Sequence, residues 1–146
     1  MLTRESSAGY LTNWGARLFA RELERQLAPS GISPAYMPIM FALADGGTLT
    51  QKELARRAAV EQPTMAATLK RMERDAMIVR RPDPEDKRSA LVSLTNKALG
   101  LVSTVQGVVG RINAIAMDGL SPDDQAQFLR LMLTIIGALE ARDRQF

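Results

Sequence analysis

Apolar residues recur along this chain at two periods, and the change of period locates its central element. Between Gln51 and Ala59, Leu54, Ala55 and Ala58 fall on one helical side at i, i+1 and i+4, leaving Lys52, Glu53, Arg56 and Arg57 to face water. Val60-Glu61-Gln62 breaks that pattern. Pro63 follows at the start of a new run, where a missing N–H costs nothing and a fixed φ suits a helix, so a second helix begins near Gln62. Its apolar side is Met65, Leu69 and Met72, with Ala66 and Ala76 alongside; its other side carries Thr64, Ala67, Thr68, Lys70, Arg71 and Arg74. After Met77 the period falls to two: Ile78 to Arg81 and Ser89 to Leu94 are strand-like, joined by Pro82-Asp83-Pro84-Glu85-Asp86, with Lys87 and Arg88 near the tip. Helix, turn, helix and basic hairpin, in that order, predict a winged helix-turn-helix.

The flanks are helical. A first helix is predicted from about Ser7 to Ala28, with Leu11, Trp14, Leu18 and Leu27 on one face and Phe19 and Leu23 widening it; Pro29-Ser30-Gly31 ends it. Ser33 caps a second helix with Pro34 at its first position; Pro38, one turn further in, removes a backbone bond and bends it, and Asp45-Gly46-Gly47 closes it. Thr95 is the N-cap of a long helix from Asn96 to about Met117, in which Gly100, Gly107 and Gly110 each cost about 1 kcal/mol relative to alanine. Gly119 ends it, and Ser121-Pro122-Asp123-Asp124 opens the last helix with cap, proline and two acids suited to a helix N-terminus. There Phe128, Leu131, Met132, Ile135, Ile136 and Leu139 form one apolar stripe. A chain this size has too little surface left to cover that stripe, and a second copy is the economical partner.

Composition removes several chemistries. The 146 residues are of single-domain size, and 46% are hydrophobic, as a globular core requires. Cysteine and histidine are both absent, which excludes disulfides, thiol redox sensing, zinc sites and Ser/His or Cys/His dyads. No Gly-rich phosphate loop or nucleophile elbow is present, so no catalytic residue, metal or cofactor is expected, and an enzyme is the weaker class. Met1 to Ser7 is polar and no run approaches the roughly 20 apolar residues that span a bilayer, so a cytoplasmic protein without membrane contact is expected. The net charge is +3, and Gln51–Thr95 holds 10 Lys+Arg against 7 Asp+Glu while the remainder holds 9 against 9. The whole excess sits in the helix-turn-helix and hairpin, where it attracts phosphate.

B-DNA fits this arrangement. A major groove about 12 Å wide admits one helix, and the minor groove, about 6 Å wide, admits an extended arm bearing a guanidinium. Asp86 and Arg88 project to the same side of an extended chain, so the carboxylate is expected to brace the guanidinium through a bidentate contact. From about Gly31 to Leu99 the chain resembles the MarR (multiple-antibiotic-resistance regulator) family of winged-helix transcription factors, in LTQKELARRAAV, in RMERDAMIVRRPDPEDKRSALVSLTNKA and above all in the PDPEDKR wing with the Leu-Thr helix start after it. It departs from the family at Ala67, where an arginine or lysine is frequent, and at Ala76, where a glycine often ends the recognition helix, so Asp75 or Ala76 must tolerate that conformation.

The resemblance implies a mainly α fold with a small β-hairpin wing: a DNA-binding region over residues 31–95, and a helical dimerisation region from residues 1–30 and 96–146 in which helices of two subunits interlace. It also implies Thr48-Leu49 as a third strand. A homodimer of this kind prefers pseudo-palindromic double-stranded DNA with half-sites about 10 bp apart. On the second helix, Gln62, Thr64, Ala67 and Thr68 are expected at base edges, with Gln62 suited to adenine and the threonine methyls to thymine. Lys70, Arg71 and Arg74, with Lys52, Arg56 and Arg57, are expected at phosphates, although Arg71 also has Glu73 and Asp75 as partners within the domain. Lys87 and Arg88 form the minor-groove arm, with Asp86 in support. The resemblance further implies an inducer, a small aromatic or phenolic acid, for which Trp14, Arg17, Tyr36, Met37 and Met40 are the candidates. The expected function is a sequence-specific, ligand-responsive repressor; the alternative is a winged helix that binds proteins, or DNA without sequence preference, and has no small-molecule response.

Overall fold

The computed structural model describes residues 1–145 and follows the predicted order. The helices are α1 (Ala8–Leu27), α2 (Met37–Ala42), α3 (Gln51–Ala58), α4 (Gln62–Arg74), α5 (Asn96–Met117) and α6 (Pro122–Asp143); the strands are β1 (Leu49–Thr50), β2 (Ile78–Pro82) and β3 (Ala90–Leu94). The three strands form an antiparallel sheet in the order β1-β3-β2, with Leu49 opposite Val92 and Arg80 opposite the same Val92 from the other edge. The fold is therefore mainly helical with a small winged sheet. Two compact units divide the chain, one ending at Val109 and one beginning at Gly110.

In the first unit Leu27, Ile39, Met40, Leu43, Leu54, Leu69, Met72, Ile78, Val92 and Val105 are fully enclosed. They come from five helices and two strands and meet in one core, to which the face read for α1 contributes Leu27 alone. Side-chain caps fix the helix starts: Ser7 accepts from the Tyr10 N–H, Thr95 from the Ala98 N–H at 3.2 Å. Thr50 and Glu53 form a reciprocal capping box on α3, worth about 1 kcal/mol, which the sequence signals as Thr-x-x-Glu.

Three expectations need correction here. Pro38 does not bend a continuous helix: Pro34–Tyr36 is a separate 3₁₀ turn capped by Ser33, and Pro38 lies in the first turn of α2, where its missing N–H breaks no bond. The third strand is Leu49–Thr50, one residue later than predicted. α5 is also more apolar than the sequence reading allowed: it is 22 residues long, with a mean hydropathy of 1.3 over its most apolar stretch, and by length and composition alone it could cross a membrane. Its Ala98, Val102, Val105 and Val108 are buried in the first unit, while most of the helix is exposed.

In α1 only Leu27 is buried, while Tyr10, Leu11, Leu18 and Phe19 are exposed. In the second unit Ser121 caps α6 by accepting from the Asp124 N–H at 3.1 Å, and Gln125 Nε2 donates to the Met117 and Leu120 carbonyls at 3.2 and 3.1 Å, closing the α5–α6 turn. No residue of α6 is buried; Phe128, Leu131, Ile135, Ile136 and Leu139 are exposed, and Leu129 and Leu133 widen the apolar arc.

Candidate nucleic-acid interface

α4 presents Gln62, Thr64, Ala67, Lys70, Arg71 and Arg74 on one exposed face, while Met65, Leu69 and Met72 anchor the other. Pro63 lies in its first turn, and Gln51 Nε2 reaches Gln62 Oε1 at 3.4 Å from the start of α3. That leaves the Gln62 amide nitrogen to donate outward. Thr68 is a correction: it is only 5% exposed, and its hydroxyl donates to the Thr64 carbonyl at 3.0 Å. A side chain turned into its own helix has nothing to offer a base edge.

The wing is built by two turns stacked on the β2–β3 ladder. Asp83 Oδ1 accepts from the Glu85 N–H at 2.9 Å, and the Asp86 carbonyl accepts from the Ser89 N–H at 3.0 Å. Asp86 Oδ1 accepts both the Arg88 N–H at 3.0 Å and the Arg88 Nε at 3.2 Å. The brace is present, but the expected bidentate fork is not: one oxygen holds backbone and side chain together. Those two donors keep the Asp86 carboxyl below its ordinary range, the backbone N–H first and the guanidinium second. The Arg88 side chain is 92% exposed, so its outer nitrogens point into solvent from a tethered stem.

A cleft of about 620 Å³ joins these parts. Gln62 from the start of α4, Lys52 from α3, Arg80 from β2, and Asp86, Lys87 and Arg88 from the wing all line it. A neighbouring groove of about 590 Å³ runs along Lys52, Arg56, Val60 and Gln62. The sequence-predicted set is thus split: Gln62, Asp86, Lys87 and Arg88 share the cleft, whereas Thr64, Ala67, Lys70, Arg71 and Arg74 lie along the face of α4.

Arg80 was missed by sequence reasoning. Its Nε lies 3.4 Å from Glu73 Oε2, and that nitrogen is enclosed without a well-formed hydrogen bond. The signal was the period of two: Ile78 is buried, so Arg80 shares its side of β2, while Val79 and Arg81 point outward. The acids near Arg71 are likewise taken by other arginines, Glu73 by Arg80 and Asp75 by Arg74 at 3.1 Å. The intradomain pairing considered for Arg71 is therefore corrected, and no ion pair of Arg71 occurs among the described residues.

The five ligand candidates are not equivalent. Tyr36 and Met40 are buried, and the Tyr36 hydroxyl donates to Asp75 Oδ2 at 2.6 Å. Trp14 is half-buried with the guanidinium carbon of Arg4 over its ring at 4.7 Å from the centroid. Met37 is half-buried and Arg17 exposed. In this conformation Tyr36 and Met40 belong to the core and offer no ligand surface. Among the described residues no group of three or more His, Cys, Asp or Glu is placed to hold a metal ion.

Comparison with known proteins follows the same outline. Residues 30–89 match the model of the MarR family. Over 86 residues the chain is 40% identical to the uncharacterized HTH-type transcriptional regulator YwoH of Bacillus subtilis (strain 168), a match covering 59% of this chain and 62% of that relative. The matched segment thus spans about three fifths of the relative's length. Among solved structures, Bordetella bronchiseptica BpsR, whose DNA binding is regulated by 6-hydroxynicotinic acid, superposes with a TM-score of 0.84 at 20% identity, over 92% of this chain and 96% of that one. The transcriptional repressor CouR, bound to a 23-mer DNA duplex, gives 0.82 at 22% identity over 93% and 99%. At these identities the two structures speak for the fold.

Proposed function

From the premise that the winged segment of this chain, residues 30–89, belongs to the MarR family of transcription regulators, we propose that the protein is a homodimeric, sequence-specific repressor of pseudo-palindromic operators, released by a small aromatic or phenolic acid. Family and fold are those of regulators and not of enzymes. One observation carries the reading: the first residue of α4 and the wing arginine line the same cleft, with Asp86 tethering the backbone N–H and Nε of Arg88. A helix entering the major groove at Gln62 brings a tethered guanidinium to the flanking minor groove. Arg71 and Lys70, exposed beside it, neutralise phosphates and set the salt dependence.

In this proposal residues 31–95 read DNA, and residues 1–30 and 96–146 form the dimer. The inducer class follows the ligand of BpsR, an aromatic acid, and Arg17, Trp14 and Met37 are the accessible members of the candidate set. Release requires the ligand to favour a dimer whose reading helices are wrongly spaced, since only differential affinity for two states shifts their balance. The protein works in the cytoplasm, where the operator is.

The test is fluorescence anisotropy on sites selected from random double-stranded DNA, against scrambled controls over a salt series, with Arg88→Ala beside the wild type. The expected preference is about a thousandfold or more, and Arg88→Ala loses about 1–3 kcal/mol of it. Equal binding to selected and scrambled DNA overturns the proposal.

A further inference from the structure

α4 ends in a set of polar contacts that its DNA-facing surface does not require. Asp75, directly after the helix, accepts the Tyr36 hydroxyl on Oδ2 at 2.6 Å and the Arg74 Nε on Oδ1 at 3.1 Å. The Asp75 carbonyl accepts from Lys97 Nζ at 2.8 Å, and the Ala76 carbonyl from Thr95 Oγ1 at 2.7 Å. Tyr36 belongs to the turn before α2, while Thr95 and Lys97 belong to the start of α5. Two residues after α4 are thereby tied to segments 39, 22 and 19 positions away in the chain. Ala76 is held there at φ 58, a conformation that a non-glycine residue keeps only where its surroundings impose it.

The rest of α4 is held more loosely. Its apolar seat is Leu69 with Met65, Met72 and the following Met77, and the three methionines are flexible side chains that fill space without fixing one angle. Its N-terminus has no side-chain cap bond, and the Gln51–Gln62 contact is long at 3.4 Å. The charge-assisted contact from Tyr36, whose ring is 4% exposed, is the short and specific one. A 13-residue helix is about 20 Å long, so a tilt of about 5° around its C-terminal end moves Gln62 by roughly 1.7 Å. Hydrogen bonds to bases do not survive such a shift, and in a two-fold dimer it occurs at both half-sites.

We infer that Tyr36 and Asp75 are positioning residues: their hydrogen bond pins the pitch of α4 and thereby sets the half-site spacing that the operator must have. The inference rests on the DNA-binding function proposed above. It places Tyr36 behind the reading helix, acting through Asp75, and not in contact with DNA.

The test uses sites selected by the wild type from random double-stranded DNA, rebuilt with half-sites one base pair closer and one farther. Affinities of the full-length wild type, Tyr36→Phe, Asp75→Ala and the double variant are measured by anisotropy, with thermal melts alongside. Tyr36→Phe, whose ring still fills the core, is expected to melt cooperatively and to bind scrambled DNA as the wild type does. Its discrimination between the selected spacing and the neighbours falls about tenfold, the size that one hydrogen bond to a charged group supports. The double variant is no worse in discrimination than Asp75→Ala, as two ends of one contact require. Unchanged discrimination in Tyr36→Phe, or losses that add in the double, overturns the pin. If Asp75→Ala does not fold, Tyr36→Phe alone decides. If the wild type selects no site, the DNA-binding function fails at the first step and the pin with it, a result distinct from a pin that fails on a working operator.

Discussion

Tyr36 and Asp75 shift each other's protonation in opposite directions, which gives their contact a pH signature. Burial raises the Tyr36 phenol above its ordinary 10.0, and the hydrogen bond to Asp75 adds to it. Asp75 is lowered from 3.8, first by that hydroxyl and then by Arg74. A phenol raised by folding contributes stability that is complete below its unfolded value and lost as pH rises through the folded one. Urea unfolding of the wild type is therefore expected to lose stability above pH 10.0, and Tyr36→Phe to lack that part of the loss; parallel profiles in the two proteins refute it. At acid pH the sign is opposite: the stability held by Asp75 and Asp86 is present above 3.8 and lost as pH falls through their lowered values. The wing contact was legible from the i, i+2 spacing of Asp86 and Arg88, although the spacing was read on an extended chain and the structure closes it across a turn at Lys87-Arg88. The Tyr36–Asp75 contact was not, since nothing local connects residues 39 positions apart. Thr68 was misplaced for a different reason: it stands three after Met65 and four before Met72, on the core side, and its polarity outweighed its position.

Elements were legible wherever a cap or a change of period marks them. Thr95 and Ser121 cap α5 and α6 where the sequence puts them, and the period of two begins at Ile78 as read. α2 was blurred because two prolines four residues apart are both good helix starts, and the chain uses both. The end of α4 is the most informative boundary. Ala76 takes the left-handed φ of 58 in which glycine is the favoured residue at a helix end, and Met77 N–H returns to the Met72 carbonyl at 2.8 Å. Left-handed strain of roughly 1–2 kcal/mol, less the roughly 0.4–1 kcal/mol that glycine costs through a more flexible unfolded chain, leaves a net gain for Ala76→Gly on the order of 0.5–1 kcal/mol. The urea midpoint is expected to rise with an unchanged m-value. A lower midpoint means that the surroundings, and not the backbone preference, select alanine there.

At the scale of the whole molecule, each unit exposes large apolar side chains on one of its helices. α1 exposes Tyr10, Leu11, Leu18 and Phe19, and α6 exposes Phe128, Leu131, Ile135, Ile136 and Leu139, with Leu129 and Leu133 beside them. The stripe was visible in the sequence at helical spacing; its two extra leucines lie beside Ile136 at the edge of that arc, at i and i+4 of their own, and count as part of it once α6 is seen to bury nothing. Monomers seldom expose a continuous patch of more than a few hundred Å², and the proposed homodimer supplies the cover. Light scattering at micromolar concentration is then expected to give twice the 16.0 kDa of one chain, with a melting temperature that rises with protein concentration. Leu131→Glu with Ile135→Glu places two charges in the stripe and is expected to return the mass to 16.0 kDa while keeping the helical circular dichroism. Operator binding separates two causes: a dimer held by α6 loses specific affinity in that variant but keeps a salt-dependent, sequence-independent remainder from the intact basic face. A wild type that stays at 16.0 kDa removes the homodimer, and a monomer carries one α4, so the pseudo-palindromic operator goes with it.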